Sequence, residues 1–368
     1  MIKIKPLQNP PSILLTSSVE YQAEYTQNLR KLNNSSSCSW AGYKYMVDNR
    51  IEKLLGVKFC SYCGIYISST TAKVEHYRPK NRIDSRKQTT HRVEKAHYIS
   101  KVINSNGYTF FGGDYLNLLI ACDACNTGQG HDLSYVIDPD RVKHVKTIEH
   151  KYGKHNLFPI CNKKSTKSAR KKQNNINSII KEVQGEKPLL LNPYFDDYYD
   201  YYDFNNMNYY DSSIRKKVIL IKEKSGNSKF KTKKAKTSIN IYGLNRVDLC
   251  IARGEKYDTM KRAIEDLNFS ISQYEANNSQ SNLNKVAFGL DVYLSNINFM
   301  RTGNHEISDF YFLRYHVIFR DRLRMLFPQD FIDTNSDERI IEELKAFVHY
   351  HLQIDTIMNN VSVFERRR

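Results

Sequence analysis

Hydrophobic spacing divides the chain into helical stretches around a central region with a different pattern. Residues 19–31 and 41–55 carry helical periodicity, with Trp40 and Tyr43 near the start of the second. Residues 166–183 predict a helix that is basic early and apolar late, through Ile176, Ile179, Ile180 and Val183. Phe312, His316, Phe319, Leu323 and Leu326 recur on one helix face within 308–327, and Ile341, Leu344, Val348 and Leu352 do so in the last helix. This aromatic stripe suits a packed core better than a base-stacking platform. The polar stretch 274–284, YEANNSQSNLN, reads as a loop or domain boundary. No internal repeat is visible.

Composition narrows the class. The 368 residues include 56 Lys+Arg against 39 Asp+Glu, a formal charge of +17. Hydrophobic residues make up 40%, which is globular rather than disordered. The longest apolar run, around Leu116–Cys122, falls far short of the roughly 20 residues of a membrane span. Only Ile13, Leu14 and Leu15 stand in a row near the basic N-terminus, too few for a signal sequence. A cytoplasmic protein with no membrane association is expected.

The positive charge is concentrated. Residues 141–172 hold eleven Lys/Arg, Lys154 among them, against Glu149 alone, and 215–236 hold ten against Glu223. Between them lies an acidic tyrosine-rich segment, Asp196–Asp203. A single such run is as often a solvated face as a binding surface. Two of them, the first beside paired cysteines, point to a surface that tracks phosphates without reading sequence.

Four of the seven cysteines form two CxxC pairs, Cys60–Cys63 and Cys122–Cys125, with 58 residues between the pairs. Two intervening residues let one tight turn aim both sulfurs at a single ion. Two such knuckles complete a tetrahedral four-thiolate site, which Zn²⁺ favours. Four thiolates leave no open position for water, so the expected zinc is structural. Cys38, Cys161 and Cys250 lack this spacing and read as free thiols.

Between and beside the knuckles lie Glu75-His76, then Asn117 in Asp114–Ala121, then Asn126 directly after Cys125. In this order and setting the chain resembles the HNH endonucleases, a ββα-metal family. The resemblance covers about residues 57–160, closing at Asn156-Leu157-Phe158-Pro159. A weaker likeness, through Pro10-Pro11, Trp40-Ala41-Gly42-Tyr43 and Pro188–Pro193, extends to HNH subunits of Septu-type and retron-associated anti-phage systems.

The resemblance implies an α+β fold, a zinc-stapled ββα core embedded in a mostly helical chain. It implies segments 1–56 (helical), 57–160 (nuclease core), 161–273 (basic, helical or linker) and 274–368 (C-terminal helical). It further implies His76 as general base, Glu75 and Asn126 as ligands of a catalytic Mg²⁺ or Mn²⁺, and Asn117 as a brace that orients His76. The substrate would be DNA, most simply double-stranded, with a partner ATPase controlling when it is cut. Neutral imidazole can accept a proton from water near neutral pH, and a hard ion keeps waters and needs few protein ligands.

Adjacent residues on a regular strand face opposite ways, so Glu75 and His76 can serve one phosphate only at a strand end. Pro79, which cannot continue a ladder, agrees with that.

Two departures stand out. Thr127-Gly128-Gln129-Gly130 lacks the basic residue the family carries there, and Gly130 cannot supply the further ligand some members have. Lys80 or Arg82 could compensate for the first. His91 and His97, in the long stretch 81–113, read as surface residues. Two alternatives remain: a catalytically degenerate zinc module that binds nucleic acid or a partner, and an RNA-directed nuclease.

Overall fold

The computed structural model describes residues 4, 6–33, 38–67, 71–80, 107–128, 135–137, 147–149, 152–161, 183, 185–207, 218–277, 279, 281–282, 285 and 288–289. Their architecture is α+β: helices with three two-stranded antiparallel sheets. The chain divides into two compact units, Met1–Ala252 and Arg253–Arg368. No helix among the described residues is long and apolar enough to cross a membrane.

The first unit opens with helices α1 (Val19–Asn33) and α2 (Ala41–Asp48) and a single turn, α3 (Ile51–Leu54). The periodicity expected to run unbroken over 41–55 is interrupted at Asn49-Arg50. Arg50 adopts φ 58°, a left-handed conformation that a helix cannot absorb. Spacing of apolar residues carries no record of such a break, because each piece still buries an apolar residue, Met46 in one and Ile51 in the other.

Strand β1 (Lys73–His76) pairs with β2 (Leu118–Ala121) in the register Lys73↔Ala121 to His76↔Leu118. All four residues of β2 are buried, which is why an apolar run without alternation forms a strand here. Helix α4 (Asp123–Thr127) follows directly, so the order is strand, strand, helix. A second hairpin joins β3 (Tyr135–Ile137) to β4 (Thr147–Glu149).

The third hairpin, β5 (Tyr202–Met207) with β6 (Val218–Glu223), falls in the 161–273 region expected to be helical or linker. Val218, Leu220 and Cys250 form one buried cluster, with Val247 and Ile251 against it. Burial of that face makes a strand of a short apolar run flanked by lysines. Helices α5 (Lys229–Ile241) and α6 (Val247–Ala276) complete the series, α5 capped by Ser228, whose Oγ accepts from Lys231 N–H at 3.4 Å.

Helix α6 runs into the polar stretch 274–284, through Ala276. In the second unit the described residues are the part of α6 from Arg253 onward and a few positions up to 289. The helices expected over 308–327 and in the last part of the chain lie outside the described residues. So does the one over 166–183, apart from Val183.

Candidate metal centre and the adjoining Glu-His site

The four paired cysteines converge. Their sulfurs all lie within 4.8 Å of one another, and among the described residues they form the one group of three or more His, Cys, Asp or Glu side chains placed to hold a metal. Cys63 Sγ and Cys122 Sγ are 3.8 Å apart. A tetrahedron with metal–sulfur bonds of about 2.3 Å has edges of about 3.8 Å, so the donor set fits a zinc-sized ion.

Local structure explains the convergence. Gly64 N–H bonds Cys60 carbonyl at 2.9 Å, closing the first knuckle, and Gly64 takes φ 77° to turn the chain away. Cys122 stands at the N-cap of α4, which places Cys125 on the first turn of that helix. Ser61 ties the first knuckle to β2: its N–H and Oγ both donate to Ile120 carbonyl, at 2.9 and 2.6 Å. Cys38, Cys161 and Cys250 are not part of this group.

Glu75 and His76 are the last two residues of β1, and both are buried. His76 Nε2 lies 3.0 Å from Gly112 carbonyl. A carbonyl only accepts, so this nitrogen carries the proton and Nδ1 keeps its lone pair. The ring stacks on Tyr43 at 5.0 Å between centroids and 12° between planes. Burial, and secondarily the Lys80 cation, hold the pKa of the imidazolium down to about 3, leaving His76 neutral.

Tyr43 is delivered by packing that begins at Trp40. A Cβ on Gly112 would meet Trp40 Nε1 at 2.1 Å, and one on Gly42 would meet Gly113 carbonyl at 2.4 Å. The start of α2 therefore seats directly on Gly112-Gly113. The same contact sets both the Gly112 carbonyl and the Tyr43 ring against His76. Lys80 Nζ lies 4.5 Å from the Tyr43 ring centroid, and among the described residues no carboxylate pairs with it.

Lys154 departs from the expectation attached to the basic run 141–172. It is fully buried: its Nζ bonds Glu75 Oε1 at 2.5 Å and the His76 carbonyl at 2.6 Å, and its own N–H reaches Cys125 carbonyl at 2.8 Å. The other basic residues of that run lie outside the described residues. Burial still pushes the Glu75 carboxyl up, although Lys154 pulls it back.

Part of the second basic run is likewise committed. Lys234 Nζ bonds both oxygens of Asp196 at 2.7 Å, Lys231 pairs with Asp200 at 3.3 Å, and Lys236 with Glu223 at 3.1 Å. The acidic tyrosine-rich segment is thus an ion-pair partner of α5.

Asn117 ends a short turn leading into β2. Its Nδ2 donates to the carbonyls of Arg78 and Phe111, each at 3.0 Å, and its Oδ1 accepts from Arg78 N–H at 2.7 Å. It therefore ties the chain just after Glu75-His76 to the residue before Gly112. Asn126 lies in α4, half-buried, with its carbonyl accepting His155 N–H at 2.6 Å.

Arg78 is engaged elsewhere, ion-paired with buried Glu186 and 4.7 Å from the Phe158 ring centroid. Arg82, Gln129, Gly130, His91 and His97 lie outside the described residues.

Sequence reasoning did not find Tyr43, Gly112 or Lys154 as parts of the site. Each reaches Glu75-His76 only through tertiary packing, and the one local hint was glycine at 112–113 where no turn motif demanded it. No protein-family model, curated protein or solved structure matches the chain.

Proposed function

We propose that this chain is an HNH-type endonuclease that hydrolyses DNA phosphodiester bonds, with His76 as general base and the four-cysteine centre holding a structural zinc. The observation that carries the reading is the state of His76. Its Nε2–H is committed to a backbone carbonyl, its plane is held by Tyr43, and among the described residues no hydrogen bond engages Nδ1 of this last residue of β1.

In the reaction, Nδ1 takes a proton from the attacking water as its oxygen bonds to phosphorus. The phosphorus–oxygen bond to the 3′ carbon breaks, and solvent protonates the departing oxygen, leaving 5′-phosphate and 3′-hydroxyl ends. A Mg²⁺-type ion bound through Glu75 and Asn126 would supply positive charge against the phosphate. Glu75 commits one oxygen to Lys154, so water and phosphate would fill most of that ion's shell. Lys80, with no carboxylate partner among the described residues, is the cation available to a non-bridging phosphate oxygen in place of the basic residue missing at 127–129.

The burial of Glu75 and His76 favours a second reading, a zinc module that binds nucleic acid without cutting it. Supercoiled plasmid with Mg²⁺ or Mn²⁺, comparing wild type with His76→Ala at equal zinc content, separates the two. Nicking by wild type alone supports the nuclease. Binding without cutting by either protein supports the module, unless co-expression with a partner ATPase switches wild type on. Cleavage of RNA in place of plasmid would reassign the substrate. A role in anti-phage defence rests on the family resemblance alone.

A further inference from the structure

Arg246 is 2% exposed, yet it carries a permanent positive charge. Its Nη1 donates to Cys125 Sγ and its Nη2 to Cys63 Sγ, each at 3.6 Å, so one guanidinium reaches one sulfur of each knuckle. Its other neighbours are weak counter-charges. Gly243 carbonyl accepts from Nη1 at 3.2 Å, and the carboxylate of Asp248, 3.5 Å from Nε, is 74% exposed.

A buried guanidinium needs a buried anion, because removing one partner of such a pair leaves an uncompensated charge out of water. Four neutral thiols supply no anion. Four thiolates around Zn²⁺ carry a net charge of −2, and one guanidinium brings that to −1.

We propose that Arg246 is a positioning residue of the zinc centre, which balances the charge of the tetrathiolate and ties the corner between α5 and α6 to both knuckles. The corner's other contacts lead to the same place. Tyr242 stacks on Tyr62, inside the first CxxC pair, at 4.0 Å and 13°. Gly243, at φ 60°, lies so close to Tyr152 that a Cβ would meet its Cγ at 2.4 Å. Gly153 N–H donates to Ile241 carbonyl at 2.8 Å, and Arg246 N–H to Gly243 carbonyl at 3.1 Å. The metal therefore holds together two cysteine pairs and, through Arg246, a third segment more than a hundred residues further along the chain. This inference stands whether or not the chain cuts DNA.

The test uses the full chain with Arg246→Met, which keeps an unbranched apolar side chain, and Arg246→Lys, whose single ammonium cannot reach both sulfurs. Each protein is analysed for zinc per chain. Release of zinc to a chelating dye is then timed under N-ethylmaleimide, well below the unfolding midpoint. Amide exchange over 242–250 is followed before and after zinc removal.

Wild type should hold one zinc, and stripping it should deprotect 242–250. Arg246→Met should release zinc at least about tenfold faster, with Arg246→Lys in between, as for loss of a partner outside a metal's ligands. A role in packing alone would lower the unfolding midpoint and leave zinc release unchanged; that result overturns the proposal. Should Arg246→Met fail to fold, equal release from wild type and Arg246→Lys, with exchange over 242–250 indifferent to zinc, overturns it as well.

Discussion

Three side chains show how strongly burial decides what a charge does in this protein. Lys154 sits in a run of lysines and is a buried ion partner; Arg246 sits at a helix corner and faces two cysteine sulfurs. Asp114, at the cap of the turn that ends at Asn117, is also buried, and its carboxyl is pushed up to about 7, with the Leu116 N–H at 3.2 Å pulling it back only in part.

Unfolded, this carboxyl ionises near its ordinary value of about 4. Between that value and about 7 the folded chain therefore binds the extra proton, and wild type loses stability as pH rises through this window. Asp114→Asn keeps an acceptor for Leu116 and removes the titration. Denaturant unfolding at pH 5 and pH 8 should show the variant gaining on wild type at the higher pH, on the order of 3 kcal/mol. An equal difference at both pH values would refute a proton held at Asp114.

At the scale of elements, the contact between α2 and the Gly112-Gly113 turn is the sharpest constraint near His76. Trp40 fills the space a side chain at 112 would need, and the Gly112 carbonyl is the partner of His76 Nε2. Gly112→Ala must move either the indole or the carbonyl. The expected cost is about 1–3 kcal/mol in unfolding free energy, the usual result of overpacking. Any plasmid nicking should fall with it, while zinc stays at the wild-type level, because the partners of Gly112 are His76, Thr109 and Trp40 and not the cysteines. Trp40 is the one tryptophan, so its fluorescence reports the displacement directly.

Across the first unit, the four-cysteine cluster is the crossing point. Ser61 fastens one knuckle to β2, Cys125 carbonyl receives the N–H of Lys154, and Arg246 brings in the corner between α5 and α6. Replacing any of Cys60, Cys63, Cys122 or Cys125 by Ser should lose zinc and unfold the first unit's centre. His76→Ala should keep zinc and fold while abolishing cleavage. Metal analysis with circular dichroism checks both; zinc lost in His76→Ala would show that the Glu-His pair and the cysteine centre are not separable sites.

Some of this was legible in the residues alone, for a physical reason. CxxC is a local geometric device: two residues between thiols suffice to aim both sulfurs, so spacing alone announced the convergence of the four cysteines into a group able to hold a metal. The position of Glu75-His76 at a strand end was similarly constrained by Pro79 and by strand alternation. The helical periodicity of α1 reflects burial, which the spacing of apolar residues records directly. Charge runs record no burial at all, which is why Lys154 and Lys234, the buried partner of Asp196, resemble a solvated surface when read in order. The break at Arg50 and the β5–β6 hairpin were hidden because periodicity does not encode φ and a short apolar run suits either helix or strand. The partners of His76, Glu75 and the sulfurs were decided by tertiary structure. Tyr43, Gly112, Lys154 and Arg246 act across tens to more than a hundred residues of sequence, and only the folded chain brings them within bonding distance.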